Sequence, residues 1–404
     1  MYQSMWRDPH KSIGPVMCPL LLYRVKTTMH TEHELNERFI PFSSLRYSTE
    51  AFIDYCIPEC APKKNYALIG PGVSQNPNQP VSLREKHGFQ VGGVAMPPGK
   101  TNPPHMHFTA EVFICTRSEW DVHWGFNPDP LKARIGPGDI ASIPTWIYRG
   151  FQNVGDVEGF MFTALGQDDT GGILWGAQTL EAARAQGVHL TEDYHIVDEQ
   201  SGQRWIDATM RRLQPMTPHE VSQLRSWTPE QMGRRVVRHA DLQWSARALL
   251  DSAVPGCGGQ MAPVIGLGMS EERDHLAPVQ NAHGFSIEWL KIPSGGAVSR
   301  HRLACKQVLS VYQGSVELRL DDDVCFALHG TTDGWDSYAV PADTWRRLRN
   351  TGTTDAVLLL ITPGDARKRI TWSAEVVQAA ASAGFAIDAN GYVALKRFTD
   401  RSQR

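Results

Sequence analysis

Apolar and polar residues alternate with a period of two through long stretches of both halves of the chain, the signature of strands with one buried face. FICTRSEWDVHWGF (Phe113 to Phe126) breaks its alternation near Ser118 and then sets Trp120, Val122 and Trp124 on one face and Asp121 and His123 on the other. SVYQGSVELRLD (Ser310 to Asp321) reads the same way around Gly314, with Val316, Leu318 and Leu320 on the apolar face. Each stretch is expected to be a hairpin. The tryptophan face reads as core, and His123, which pairs with Arg319, as an exposed residue rather than a ligand.

Helical patterns are fewer. ILWGAQTLEAARAQG (Ile173 to Gly187) and ITWSAEVVQAAASAG (Ile370 to Gly384) read as helices closed by glycine at the position after the C-cap. TPHEV (Thr217 to Val221) and TPEQM (Thr228 to Met232) each offer a threonine N-cap, proline at the first helical position, and Glu220 or Gln231 at the third. These two short helices read as a linker.

The second half repeats the first. HGFQVGGVAMPPG (His87 to Gly99) realigns with HGFSIEWLKIPSG (His283 to Gly295) at an offset of 196, and seven of the 27 positions from His87 to Phe113 are identical. Ile69, Gly70, Gly72 and Ser74 fall on Ile265, Gly266, Gly268 and Ser270. Beyond the first motif the offset becomes 197, and Pro144, Arg149, Asn153 and Gly155 fall on Pro341, Arg346, Asn350 and Gly352. A repeat this long is two copies of a domain, not a solenoid. The expected division is an arm over 1–36, a first barrel over 37–195, a helical linker over 196–236 and a second barrel over 237–404. The expected fold is all-β dominated: two antiparallel jelly-roll barrels in tandem with peripheral helices.

Length and composition fit this. A chain of 404 residues has room for two to three domains, and 41% hydrophobic with 21% charged residues is ordinary for a globular protein. Lys+Arg 40 against Asp+Glu 43 gives a net charge of -3, so no basic field draws the chain to nucleic acid. Basic clusters such as Arg346, Arg347 and Arg349 are interleaved with acids and read as solvated faces. Seven scattered cysteines, of which only Cys56 and Cys60 are near neighbours, suggest neither a disulfide framework nor a zinc knuckle. A reducing cytoplasm is the default compartment. The apolar run PVMCPLLLY (Pro15 to Tyr23) is too short to span a bilayer and lacks a signal-peptide cleavage pattern. The arm is expected to cover a neighbouring subunit of a homo-oligomer.

Chemistry concentrates in HMHFTAE. His105 and His107, two apart on a strand, face the same side, and Glu111 follows after a bend. Two imidazoles and a carboxylate suit a divalent transition metal with open coordination positions: iron(II) first, with manganese, nickel, copper or zinc as alternatives. Surface histidines in a proline-rich loop (Pro103, Pro104) are the plain alternative.

The wider pattern resembles the two motifs of the cupin superfamily. Gly99, His105, His107 and Glu111 match the first motif in order and spacing, and Gly138, Pro144 and Asn153 match the second. Trp146 stands where glycine is usual, and Arg149 where the fourth ligand, a histidine, is usual. Arginine has no lone pair for a metal, so the resemblance implies three protein ligands, His105, His107 and Glu111. The second copy offers His301, Leu303 and Gln307 instead, which implies a barrel without metal. Duplicated barrels with one live site resemble bicupins of the gentisate and quercetin dioxygenase-like type, although those with three histidines differ from this chain at Arg149.

The expected function is a metal-dependent dioxygenase acting in the first barrel on a small anionic, aromatic or enolisable substrate. Arg149 is the expected catalytic residue, anchoring a carboxylate or phenolate through its fork, with a structural role as the alternative because Arg346 repeats it. Phe113, Trp146, Tyr148 and Phe151 are near enough in sequence to line the pocket. A redox-neutral lyase or isomerase and a non-enzymatic binding bicupin are the competing expectations.

Overall fold

The computed structural model describes residues 30–126, 130–321 and 323–399. The apolar run Pro15 to Tyr23 of the expected arm lies outside these. Two barrels follow one another along the chain. The first is built from an eight-stranded sheet facing a five-stranded one, and the second from an 11-stranded sheet that curls through both of its faces. Among the described residues pairing is antiparallel except where Lys64–Ile69 meets Val81–Leu83 and at the single bridge between Ile265 and Val279, its equivalent in the second barrel.

The expected hairpins are corners instead. Glu111–Arg117 pairs with Ile140–Ile143 and Gly159–Gly166, whereas Trp120–Trp124 pairs with Arg149–Asn153 and Leu131–Ile135. The two never pair with each other; the chain leaves one sheet at Ser118, where φ is 71°, and enters the other. In the second barrel the same path is one 14-residue strand, Gln307–Leu320, bent at Gly314 with φ 87°. A phase change in the alternation marks a strand switching sheets as readily as a hairpin turn. Trp120, Val122 and Trp124 are core, as expected. Asp121, assigned to the outer face, is nonetheless covered by Arg134 and Lys132.

The long helices are shorter than expected. Ile173–Trp175 and Ile370–Trp372 are strands paired to Thr101–His107 and Ala297–Leu303, and the helices begin at Ala177 and Ala374. Gly187 and Gly384 do take positive φ just past the helix ends. Both linker helices carry full capping boxes, Thr217 with Glu220 and Thr228 with Gln231.

The barrels exchange their leading strands. Phe39–Ile40, from the first copy, pairs with Ser337–Val340 of the second barrel, while Val236–Val237 pairs with Ile140–Ile143 of the first. The registers correspond: Ile40 lies opposite Ser337, and Val237 opposite Ile140. Phe39–Ile40 falls just inside the start of the expected first barrel, and Val236–Val237 straddles the expected start of the second. The exchange extends the repeat upstream, because Thr31, Arg38, Leu45, Asp54 and Cys60 fall on Thr228, Arg235, Leu242, Asp251 and Cys257 at the offset of 197. Glu32–Asn36, the end of the expected arm, is accordingly a capped helix whose Leu35 sits in the second barrel's core, and Met232 of the linker sits in the first's. A third cluster, with Phe89, Phe162, Phe285, Trp289 and Trp335, joins the barrels back to back.

Candidate metal centre

His105 and His107 lie on the strand Thr101–His107 of the five-stranded sheet, and Glu111 opens the strand Glu111–Arg117 inside the eight-stranded sheet opposite. The short crossing at Phe108 to Ala110 folds the carboxylate back, and one ligand atom from each residue lies within 4.8 Å of the others. All three are buried. The His107 Nε2 to Glu111 Oε2 distance is 3.4 Å. His105 is flanked in register by Arg149 on one side and Trp175 on the other.

Burial, reinforced by Arg149, holds both imidazoles well below the usual histidine range, so they are neutral near pH 7. His105 Nδ1 lies 2.8 Å from the Pro103 carbonyl and 3.1 Å from the Asn102 amide nitrogen. The tautomer that donates Nδ1–H to Pro103 leaves Nε2 free as a ligand. Burial also pushes the Glu111 carboxyl up to about 7, against the pull of Arg149.

The donor set fits a divalent cation. Glu111 Oε2 is buried without a hydrogen-bond partner among the described residues, and with Arg149 Nε 3.7 Å away, beyond hydrogen-bond distance, it keeps a lone pair for a cation.

Arg149 is fully buried, donates from Nη2 to the Pro144 carbonyl at 3.0 Å, and holds Nε 3.7 Å from Glu111 Oε2. It is not among the residues lining the cavity that opens onto the triad. Next to this triad, Lys63 forms a buried pair with Asp54 and also donates to Asn102, beside His105.

That cavity measures about 80 Å³ and is walled by Phe52, Val91, Phe151, Ile173 and Trp175, with neutral polar groups from Asn65, Gln79, Gln90 and Thr163. Of the aromatics expected near the site only Phe151 lines it. Phe113 is core, Tyr148 lines a separate groove, and Trp146 is 48% exposed. Phe52 and Trp175 arrive from remote segments that motif spacing cannot reveal.

In the second barrel His301 keeps its neighbours Arg346 and Trp372, but Leu303 and Gln307 replace the other two donors. Gln307 Oε1 accepts from Arg346 Nη1 at 3.0 Å, and its amide nitrogen contacts Met269 Sδ. Among the described residues only the first barrel gathers three ligating side chains.

No protein-family profile and no curated protein sequence matches the chain. Among solved structures, the oxalate decarboxylase of Lactobacillus farciminis in a formate complex is similar over 84% of this chain and 89% of its own, at 13% identity and a TM-score of 0.50. The oxalate decarboxylase of Bacillus subtilis at pH 4.6 is similar over 83% and 78%, at 12% identity and a TM-score of 0.48. The likeness to the first shows the fold: two jelly-roll β-barrels in one chain.

Proposed function

We propose that the first barrel binds one divalent metal ion through His105, His107 and Glu111 and acts on a small chelating acid by redox-neutral lyase chemistry, with decarboxylation as the leading case. The observation that carries this is the charge balance of the enclosed site. A divalent cation, the Arg149 guanidinium and the Glu111 carboxylate sum to two positive charges, the imidazoles are neutral, and the cavity walls hold no other ion. A ligand bringing two negative charges neutralises the site, and apolar walls make that neutrality matter. A cavity of about 80 Å³ suits a ligand of a few heavy atoms better than an aromatic acid beside dioxygen. The structural neighbour from Lactobacillus farciminis is named for decarboxylation of such an acid, oxalate.

When bound, the metal acts as a Lewis acid on the chelating oxygens. The chain's own groups do the rest. Arg149 keeps the Glu111 carboxylate aimed and pulls it toward its ionised form against burial, Phe52, Phe151 and Trp175 exclude water, and Asn65 and Gln90 add neutral polar groups to the wall. Arg149 is therefore a positioning residue in this reading, not a substrate anchor. Iron(II) and manganese(II) both suit the donor set.

The sequence-based expectation of a dioxygenase remains the second reading, favoured by the open positions that three protein ligands leave. Metal-loaded protein incubated with oxalate, malonate and small 2-oxo acids, with and without oxygen, separates the two. Carbon dioxide release unchanged under anaerobic conditions is expected. Release that requires oxygen and consumes it transfers the assignment to the oxygenase. Elemental analysis should find one ion per chain in the parent and none in His105→Ala, and stoichiometric metal in that variant would remove the site assignment altogether.

A further inference from the structure

The outer face of the second barrel carries cations that the proposed reaction does not use. Gln307–Leu320 and Arg346–Asn350 run antiparallel with Arg319 directly opposite Arg347. Like charges facing each other on adjacent strands destabilise a sheet. Among the described residues Arg319 has one salt-bridge partner, Glu317 at 3.5 Å, and no salt bridge includes Arg347.

Both guanidinium groups border a cavity of about 360 Å³, whose lining also includes Ser299, Ser373, Glu375 and Trp345, the last with Arg300 stacked over its ring at 4.4 Å. Ser373 is the N-cap of the helix Ala374–Ser382 and makes no side-chain cap bond; the Glu375 carboxylate instead takes up its own first-turn amide and the Ser373 side chain, so it is the group an incoming anion competes with. Glu375 is the one acid in the lining.

The first barrel has no counterpart. Gly150 lies opposite His123 at the register where Arg347 lies opposite Arg319. A Cβ added at Gly150 would stand 2.3 Å from His123 Nε2, so an imidazole fills that space. Pro104 and Tyr148 take the places of Arg300 and Trp345 in the repeat. The two arginines thus belong to the copy whose interior lost its metal ligands.

We propose that this cavity is an oxyanion site, holding a phosphate-class dianion between Arg319 and Arg347. The planar guanidinium fork matches phosphate oxygens, and one bound dianion turns the repulsion across the strands into two charge-assisted contacts.

Calorimetric titration of the full chain with inorganic phosphate, against potassium chloride at equal ionic strength, tests it. Saturable binding is expected, weakened about tenfold or more in Arg347→Gln and tightened in Glu375→Gln. Both side chains are exposed, so the variants should keep the parent's circular dichroism and melting temperature. Repeating the titration in the His105→Ala background excludes phosphate held at the triad, and binding should persist there. Loss in that background, no binding beyond chloride, or equal binding by Arg347→Gln overturns the site. Malonate binding as tightly as phosphate overturns the phosphate-class assignment.

Discussion

Arg149 and Arg346 hold one position in two barrels with opposite surroundings. Each donates to the carbonyl of the proline five residues upstream, Pro144 or Pro341, yet one faces a carboxylate and the other an amide. The shared contact is the fold's, and the Glu111 contact is the site's. Lysine keeps the charge but cannot satisfy the carbonyl and the neighbouring side chain together. Arg149→Lys and Arg346→Lys should therefore each lose about 2–3 kcal/mol of stability, the range for a broken buried charged hydrogen bond, read from urea midpoints. Parental stability with abolished turnover in Arg149→Lys would restore the substrate-anchor role. Glu288 gives a second residue-scale expectation. It is fully buried, accepts from the Met269 and Ser270 amides, and burial pushes its carboxyl up to about 7. Because the folded value lies above the unfolded one, near 4.5, the folded protein holds the proton longer. Its contribution is complete below pH 4.5 and is lost as pH rises to about 7. The loss is on the order of 3 kcal/mol, since each tenfold difference in proton affinity between the folded and unfolded chain is worth about 1.4 kcal/mol. Glu288→Gln should remove that part of the decline between pH 4.5 and 7, and an unchanged slope would show that the carboxyl titrates normally. At this scale the convergence of His105, His107 and Glu111 was legible, since His-x-His followed by Glu at four is a local pattern. The orientation of Arg149 was not, because it depends on a carbonyl and a cross-barrel carboxylate.

Among the elements, the corners were the hardest to read. A hairpin and a strand that passes between sheets share the same alternation and the same turn residue, and they differ only in which strands lie alongside, which is non-local. Gly314 makes the case concrete. At φ 87° a Cβ would also lie 3.1 Å from the Ala356 Cα, so both backbone conformation and space require glycine there. Gly314→Ala should cost about 1–2 kcal/mol for the left-handed residue alone, measured as a shift of the unfolding midpoint. A neutral result would mean that the bend relaxes without help from glycine. Short helices were legible where capping chemistry is local: Thr217 and Thr228 announce their helices through a side chain and a residue three positions on. Thr31 and Glu34 carry the same capping box, but they precede the stretch over which the two copies look most alike.

Across the whole molecule, duplication and two-barrel architecture were legible from the repeat, but the exchange of leading strands was not. Two-residue strands have no periodicity, and nothing in Val236–Val237 distinguishes pairing with its own barrel from pairing with the other. The exchange makes the barrels interdependent. Each closes an edge with a strand from the opposite copy, and each packs a residue from that copy's first helix, Leu35 or Met232, into its core. The aromatic cluster between them adds buried apolar surface that neither barrel covers alone. The segment joining them is the contrary case: Arg204, Arg211 and Arg225 are exposed in a stretch with little regular structure, which is where proteolysis concentrates. Brief trypsin treatment should therefore cut between the barrels and leave two fragments that still elute together at the intact mass. Separation would need denaturant, because parting the fragments exposes the shared core and strips both exchanged strands. Two native fragments eluting apart would show that each barrel is self-sufficient and that the exchanged strands contribute little to holding the molecule together.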